Sequence, residues 1–238
     1  MGVGFFIKDG GTIESVTVSN LAIETVRDPN TVNAERLRNM IYPIFVDIEK
    51  RRDDSKIGAI RNVTFSDIEI RSDNGILLQG MPESFIENLV LHNISIRVTH
   101  AFDYSHRAKH AGGPSNPRDD RITRYARQPS YCTLANVRNL VVDNLRVDAV
   151  PGVREANPRS ALSLFHAEGA VLRTIARSPA TPGAVLELHQ VQDALVTGCV
   201  ATPGRETFLR TYGMAEGDVT IEANRLRNVR QVLDRRDE

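Results

Sequence analysis

The sequence predicts an all-β chain folded as a right-handed, single-stranded parallel β-helix, one domain over residues 1–238 with loop insertions. Three observations predict it: a pattern repeated in phase, a second strand-like segment between successive repeats, and a shortage of amphipathic helices. Four segments carry the pattern, Ile13–Ile23, Ile60–Ile70, Ile86–Ile96 and Val137–Val147. Counting the first residue of each as position zero, apolar residues recur at positions zero, three, five, eight and ten. The step from three to five is the period of a strand with one buried face. The step from five to eight skips a polar residue at position seven, as a bend requires.

That residue is Asn20, Asp67, Asn93 and Asn144 in the four copies. Asn and Asp tolerate the left-handed backbone region and bond their own backbone in turns. Stacked copies could also pass amide hydrogen bonds from one to the next, as asparagine ladders do in stacked sheets. Two weaker copies follow, at Val191–Gly198 and Glu216–Asn224.

The second strand candidates are Tyr42–Asp47, Asn74–Gln79, Ser130–Leu134, Ser160–Leu164, Gly183–Leu188 and Thr207–Arg210. A doubly wound α/β fold would need helices of ten or more residues between strands. Only Val32–Met40 has a helical pattern, and it is short. An antiparallel sandwich would leave the fixed phase unexplained. Two polar insertions leave the repeat, at about 27–41 and about 99–129, the second rich in Gly, Pro, His, Asp and Arg.

Composition narrows function by exclusion. Thirty basic residues balance thirty acidic ones, which argues against a dedicated nucleic-acid binder. No apolar run reaches the length of a membrane span. The opening Met1–Lys8 lacks the features of a signal peptide and enters a strand-like segment at once, as if the chain starts inside a domain. Cys132 and Cys199 stand far apart, beside apolar positions, and read as buried inert thiols. No phosphate-binding glycine loop and no zinc spacing is present, so no cofactor is expected. Asn62-Val-Thr and Asn93-Ile-Ser match the glycosylation pattern but fall inside the packed repeat, which makes them coincidental.

Residues 58–68, 74–89 and 128–140 together resemble the C-terminal coils of glycoside hydrolase family 28, which holds polygalacturonases and rhamnogalacturonases. The resemblance covers most of residues 5–230 and implies a pectin-lyase-like solenoid acting on pectic polysaccharide by inverting hydrolysis. It also implies secretion or a periplasmic location. The family's acids sit in Asn-Thr-Asp and Asp-Asp motifs, followed by His-Gly, ahead of an Arg-Ile-Lys strand. Here that strand is Phe6-Ile7-Lys8, and neither Asn-Thr-Asp nor His-Gly occurs. The chain is therefore expected to begin just after the catalytic coils and to be inactive alone. The pairs Asp53-Asp54 and Asp119-Asp120 read as solvated loop acids.

Lys8 matches the family's substrate-binding lysine, while Phe6 replaces its arginine and removes a forked contact with a carboxylate. A solvent-facing strand residue is the plain alternative for Lys8. His100, Asp103, Tyr104 and His106, with His110 close by, cluster in the second insertion. A sugar-contacting loop, a metal site and an ordinary solvated loop all remain open for them. Tyr104, Tyr125 and Tyr131 offer rings that could stack on sugars. The rival reading is a non-catalytic β-helix module that binds polysaccharide or assembles with a partner chain. Its mark is an open N-terminal edge exposing Phe5, Phe6 and Ile7, which invites self-association.

Overall fold

A computed structural model describes residues 2–26, 42–99, 130–156, 159–177, 184–201, 207–227 and 229–237. It is nearly all β, with fourteen strands and one short helix among these residues. The strands are β1 (Val3–Ile7), β2 (Thr12–Thr25), β3 (Ile44–Ile48), β4 (Ala59–Ser72), β5 (Ile76–Gln79), β6 (Ile86–Val98) and β7 (Ser130–Ala149). There follow α1 (Pro151–Ala156), β8 (Ser160–Arg173), β9 (Ala176–Arg177), β10 (Leu186–His189), β11 (Gln192–Thr197), β12 (Thr207–Tyr212), β13 (Val219–Glu222) and β14 (Gln231–Arg236). Among the described residues no helix is long and apolar enough to cross a membrane.

All the strand pairings are parallel and form two ladders. The long ladder runs β1-β3-β5-β7-β8-β10-β12-β14, and the second joins β2, β4, β6, β7, β8, β11 and β13, with the two-residue β9 paired on β7. Strands β7 and β8 belong to both, so each runs unbroken from one ladder into the other. The register follows the repeat: Ile13 faces Ile60, Ile60 faces Ile86, Ile86 faces Val137, and Val137 faces Ala167.

Apolar residues line up because the repeat keeps its phase. Ile60, Val63, Phe65, Ile68 and Ile70 of β4 are at most 3% exposed, and the matching residues of β6 and β7 are buried as well. Each such side chain gains about 1.5–3 kcal/mol from leaving water. Inward residues of the long ladder, among them Val46, Leu78, Leu134, Leu164 and Leu188, belong to the same core cluster. A smaller cluster of Tyr42, Phe45, Leu77, Ala135 and Phe165 lies on the ladder's opposite face, with Phe6 packed against it.

The bends are where the sequence places them, and there are more of them. Asn20, Asp67, Asn93 and Asn144, all at position seven, have φ between 52° and 56°. Position two is left-handed as well, at Ser15, Asn62, Asn88 and Asn139. Side-chain amides connect these turns across strands. Asn93 donates to Asp67 at 2.7 Å and Asn144 to Asn93 at 2.9 Å. At position two, Asn88 donates to Asn62 at 2.8 Å and Asn139 to Asn88 at 3.1 Å. Asn20 stays off this ladder and bonds its neighbour Ser19 instead.

One copy of the repeat escapes the sequence pattern. It starts at Ala167, which faces Val137, and its left-handed residues are Gly169 and Thr174. Glycine takes that conformation without a side chain, so the asparagine signature is missing. Strand β14 also lies outside the sequence expectation, because its charged residues obscure the apolar alternation. The insertion at about 27–41, with the Val32–Met40 helix pattern, and that at about 99–129 apart from Thr99 lie outside the described residues.

Candidate functional site

Alternation along the long ladder sends two columns of side chains to the face opposite the main core. One column runs Phe45, Leu77, Thr133, Ser163, Glu187, Arg210 and Asp234. The other runs Phe6, Asp47, Gln79, Ala135, Phe165, His189, Tyr212 and Arg236. Charge and hydrogen-bonding capacity concentrate on this face, which makes it the candidate site.

Lys8 follows β1 at one end of the face. Glu49 follows β3, and its backbone N–H donates to the Ile7 carbonyl at 2.9 Å. That bond brings Glu49 beside Lys8, and the two form an ion pair. The Lys8 side chain is 38% exposed and that of Glu49 15%, so the pair offers a donor and an acceptor at the surface. Phe6 turns its ring onto Phe45, with centroids 5.0 Å apart. It therefore serves packing.

Further along, Gln79 donates from Nε2 to Asp47 Oδ1 at 2.8 Å, and both side chains are buried. The His189 ring lies between Phe165 and Tyr212, with centroid distances of 4.2 and 4.1 Å. Burial, then the nearby charge of His166, lowers its pKa to about 4, so the imidazole is neutral at pH 7. Beyond it, Arg210 joins Glu187 at 3.5 Å and Asp234 at 2.8 Å. Arg236 also reaches Asp234, at 3.0 Å. The hydrogen bond from Arg210 is the largest influence on Asp234 and holds its carboxyl below the usual range.

The spacing of these acids limits their chemistry. Adjacent strands lie about 4.8 Å apart, so Asp47 on β3 and Glu187 on β10, four ladder steps apart, are separated by roughly 19 Å. Inverting glycosidases hold their two carboxyl groups about 6.5–9.5 Å apart. Glu187 and Asp234 are two steps apart, roughly 10 Å, but Arg210 occupies the space between them. A general acid needs a raised pKa, and Asp234 has a lowered one. Asp47, Gln79, Thr133, Ser163 and Glu187 on this face are at most 4% exposed, and Glu187 and Asp234 are both committed to Arg210.

Of the residues singled out by sequence, Lys8 lies on this face. His100, Asp103, Tyr104, His106 and His110, together with Asp119, Asp120 and Tyr125, lie outside the described residues. Tyr131 is 1% exposed with the Arg159 guanidinium 5.7 Å from its ring centre, so its ring is not offered to a sugar. Asp53 and Asp54 are exposed in a turn between β3 and β4. Cys132 and Cys199 are buried free thiols, pushed up by burial to about 12 and about 11. Asn62 and Asn93 are ladder members. No group of three metal-ligating side chains occurs among the described residues.

Sequence reading missed Asp47, Gln79, Glu187, His189, Arg210 and Asp234 as site residues. Their signal was a polar residue next to the apolar ones in the second strand candidates, such as Asp47 ending Tyr42–Asp47 and Gln79 ending Asn74–Gln79. No family model, curated protein or solved structure matches this chain.

Proposed function

We propose that the two ladders close into a right-handed, single-stranded parallel β-helix, and that this chain forms the C-terminal coils of a polygalacturonase-like glycoside hydrolase. The observation that carries the reading is the pair of in-register parallel ladders joined through β7 and β8, with Lys8 at the end of the outward polar face. A strand that passes from one ladder into the other through a left-handed residue, Asn136 in β7 and His166 in β8, is what a β-helix coil requires. In this reading Lys8 meets a carboxylate or hydroxyl of a pectic sugar, and Glu49 accepts from a neighbouring hydroxyl. The acids that would protonate the leaving oxygen and activate water belong to coils beyond this chain.

A second reading, a non-catalytic polysaccharide-binding module, is favoured by the Glu187–Arg210–Asp234 clamp, which commits two outward acids to an ion pair. One experiment tests both. The purified chain is titrated with trigalacturonate by calorimetry, and reducing ends are measured over hours. Binding without hydrolysis is expected. Hydrolysis that is sensitive to mutation of this chain would overturn the assignment of the acids elsewhere. An absence of binding would overturn the pectic reading altogether.

A further inference from the structure

Two outward rows of the second ladder gather arginines that are not held by acids. They are positions nine and eleven of the repeat, which alternate with the inward residues at eight and ten. Position nine reads Glu69, Ser95, Arg146, Ala176, Val200 and Arg225 on successive strands. At position eleven, Arg71, Arg97 and Asp148 stand in register, and Arg227 holds the same place in the last copy of the repeat. Arg97, Arg146, Arg225 and Arg227 are all exposed.

Most other arginines of the described residues sit against acids. Arg61 pairs with Glu14, Arg71 with Glu24, Arg138 with Glu87 and Glu168, and Arg173 with Asp143. Arg210 and Arg236 share Asp234. Among the described residues Arg97, Arg146, Arg225 and Arg227 make no ion pair, and Arg146 donates instead to the neutral Asn144 side chain at 3.2 Å. The acids on the two rows are Glu24, already held by Arg71, with Glu69 and Asp148. Four guanidiniums are thus set against two acids, in a chain whose formal net charge is zero. The positive excess is local.

The arrangement is a track. Arg146 and Arg225 are three ladder steps apart, roughly 14 Å. Arg97 stands on the strand before Arg146, and Arg227 lies two residues beyond Arg225. Ala176 and Val200 fill the steps between them. A row of permanently charged, multiply donating groups suits a linear polymer whose carboxylates recur along its length. Neither row carries an aromatic ring among the described residues, so they offer no platform for a nucleobase.

We propose that Arg97, Arg146, Arg225 and Arg227 form a docking track for an acidic polysaccharide, apart from the Lys8–Glu49 pair. Carboxylates of one polymer chain meet successive guanidiniums across the strands. The choice of a polysaccharide rests on the pectic reading above, while the track itself rests on register and charge.

The test titrates long-chain polygalacturonate by calorimetry against the full chain, R97A/R146A/R225A/R227A and R97K/R146K/R225K/R227K. Exposed charge contacts are individually modest, so the four together should account for about a tenfold loss of affinity in the alanine variant. The lysine variant keeps the charge and should stay within about threefold of the parent. Added salt should weaken the parent toward the alanine variant. All four side chains are exposed, so the melting temperatures should agree. If they do not, R97A/R146A and R225A/R227A each remove half the track and should each lose about threefold. Unchanged affinity in the alanine variants overturns the proposal, as does equal binding of a fully methyl-esterified polymer. So does single-stranded DNA that displaces polygalacturonate more readily than added polygalacturonate does. Trigalacturonate titrated alongside keeps the two sites apart. Loss of polymer affinity in the alanine variant supports the track whether or not the trimer binds, and polymer affinity that falls only in K8A overturns it.

Discussion

Asn88 donates its side-chain amide to the Asn62 side-chain oxygen at 2.8 Å, joining two left-handed residues that stand 26 positions apart in the chain. The bond repeats one strand on, from Asn139 to Asn88, and a parallel series runs through Asp67, Asn93 and Asn144. Each asparagine has two roles. It accepts a backbone conformation that most residues resist, and it ties its turn to the one beside it.

Substitution at Asn93 separates the two roles. Asn93→Gly keeps the backbone relaxed and loses the amide bonds, and should cost about 1 kcal/mol. Asn93→Ala also forces a side chain with no local hydrogen bond into the left-handed region, and should cost about 2 kcal/mol or more. Urea unfolding of the two variants checks the order. Equal losses would mean that the backbone conformation carries no cost here.

The edge and the interior should respond unequally to truncation in the same column. Phe65 is fully buried, stacks on Phe5 and faces Val18 across the β2–β4 pair. Phe65→Ala should lose about 3–5 kcal/mol. Val18→Ala, on the half-open edge strand, should lose about 1 kcal/mol or less. The same urea experiment measures both, and a large loss at Val18 would mean that the edge is covered in solution.

Gly75 marks a close approach of two backbones. A methyl group placed on it would sit 1.8 Å from the Tyr131 carbonyl oxygen. Neither β5 nor β7 can yield without breaking their shared register, so Gly75→Ala should cost about 3 kcal/mol or more. Gly152 in α1 has nothing within 4 Å of the same added atom. Gly152→Ala should be neutral or slightly stabilising by thermal melting.

How much of this was legible in the sequence depends on which face a residue serves. The core columns were readable because Ile60, Val63 and Phe65 repeat in phase with Ile86, Leu89 and Leu91, and a single apolar residue type suffices to report each. The position-seven bends were readable because asparagine and aspartate are among the few side chains that accept them. The copy beginning at Ala167 was hidden, since Gly169 and Thr174 perform the same turns without that signature. The outward face was hidden for a different reason. Glu187, Arg210 and Asp234 come from three strands separated by long intervals, and their meeting follows from register rather than from local pattern.

Register also sets a pH dependence at His189. Folded, the ring is held neutral between Phe165 and Tyr212, with a pKa of about 4 against an ordinary 6.5. Between those values the unfolded chain binds more protons, so stability is complete above pH 6.5 and falls as the pH drops toward 4. Allowing for the ring's partial exposure, the loss is roughly 1–2 kcal/mol. Urea midpoints at about pH 7 and about pH 4.5 should differ less in H189Q than in the parent. Identical pH dependence in the two proteins would rule out a depressed imidazole.

The Lys8–Glu49 pair gives the sharpest test of the binding role. If Lys8 meets an anionic sugar, Glu49 competes with that sugar for the same ammonium group. Lys8→Ala should then weaken trigalacturonate binding by about tenfold, the value of one charge-assisted hydrogen bond. Glu49→Gln should strengthen it by about threefold, because the exposed pair contributes little to stability and its loss frees the cation. A lysine that serves only to hold β1 against β3 predicts the reverse pattern: both changes lower the melting temperature and neither changes affinity. Calorimetric titration of the two variants, alongside their melting curves, separates a lysine that grips substrate from one that staples two strands.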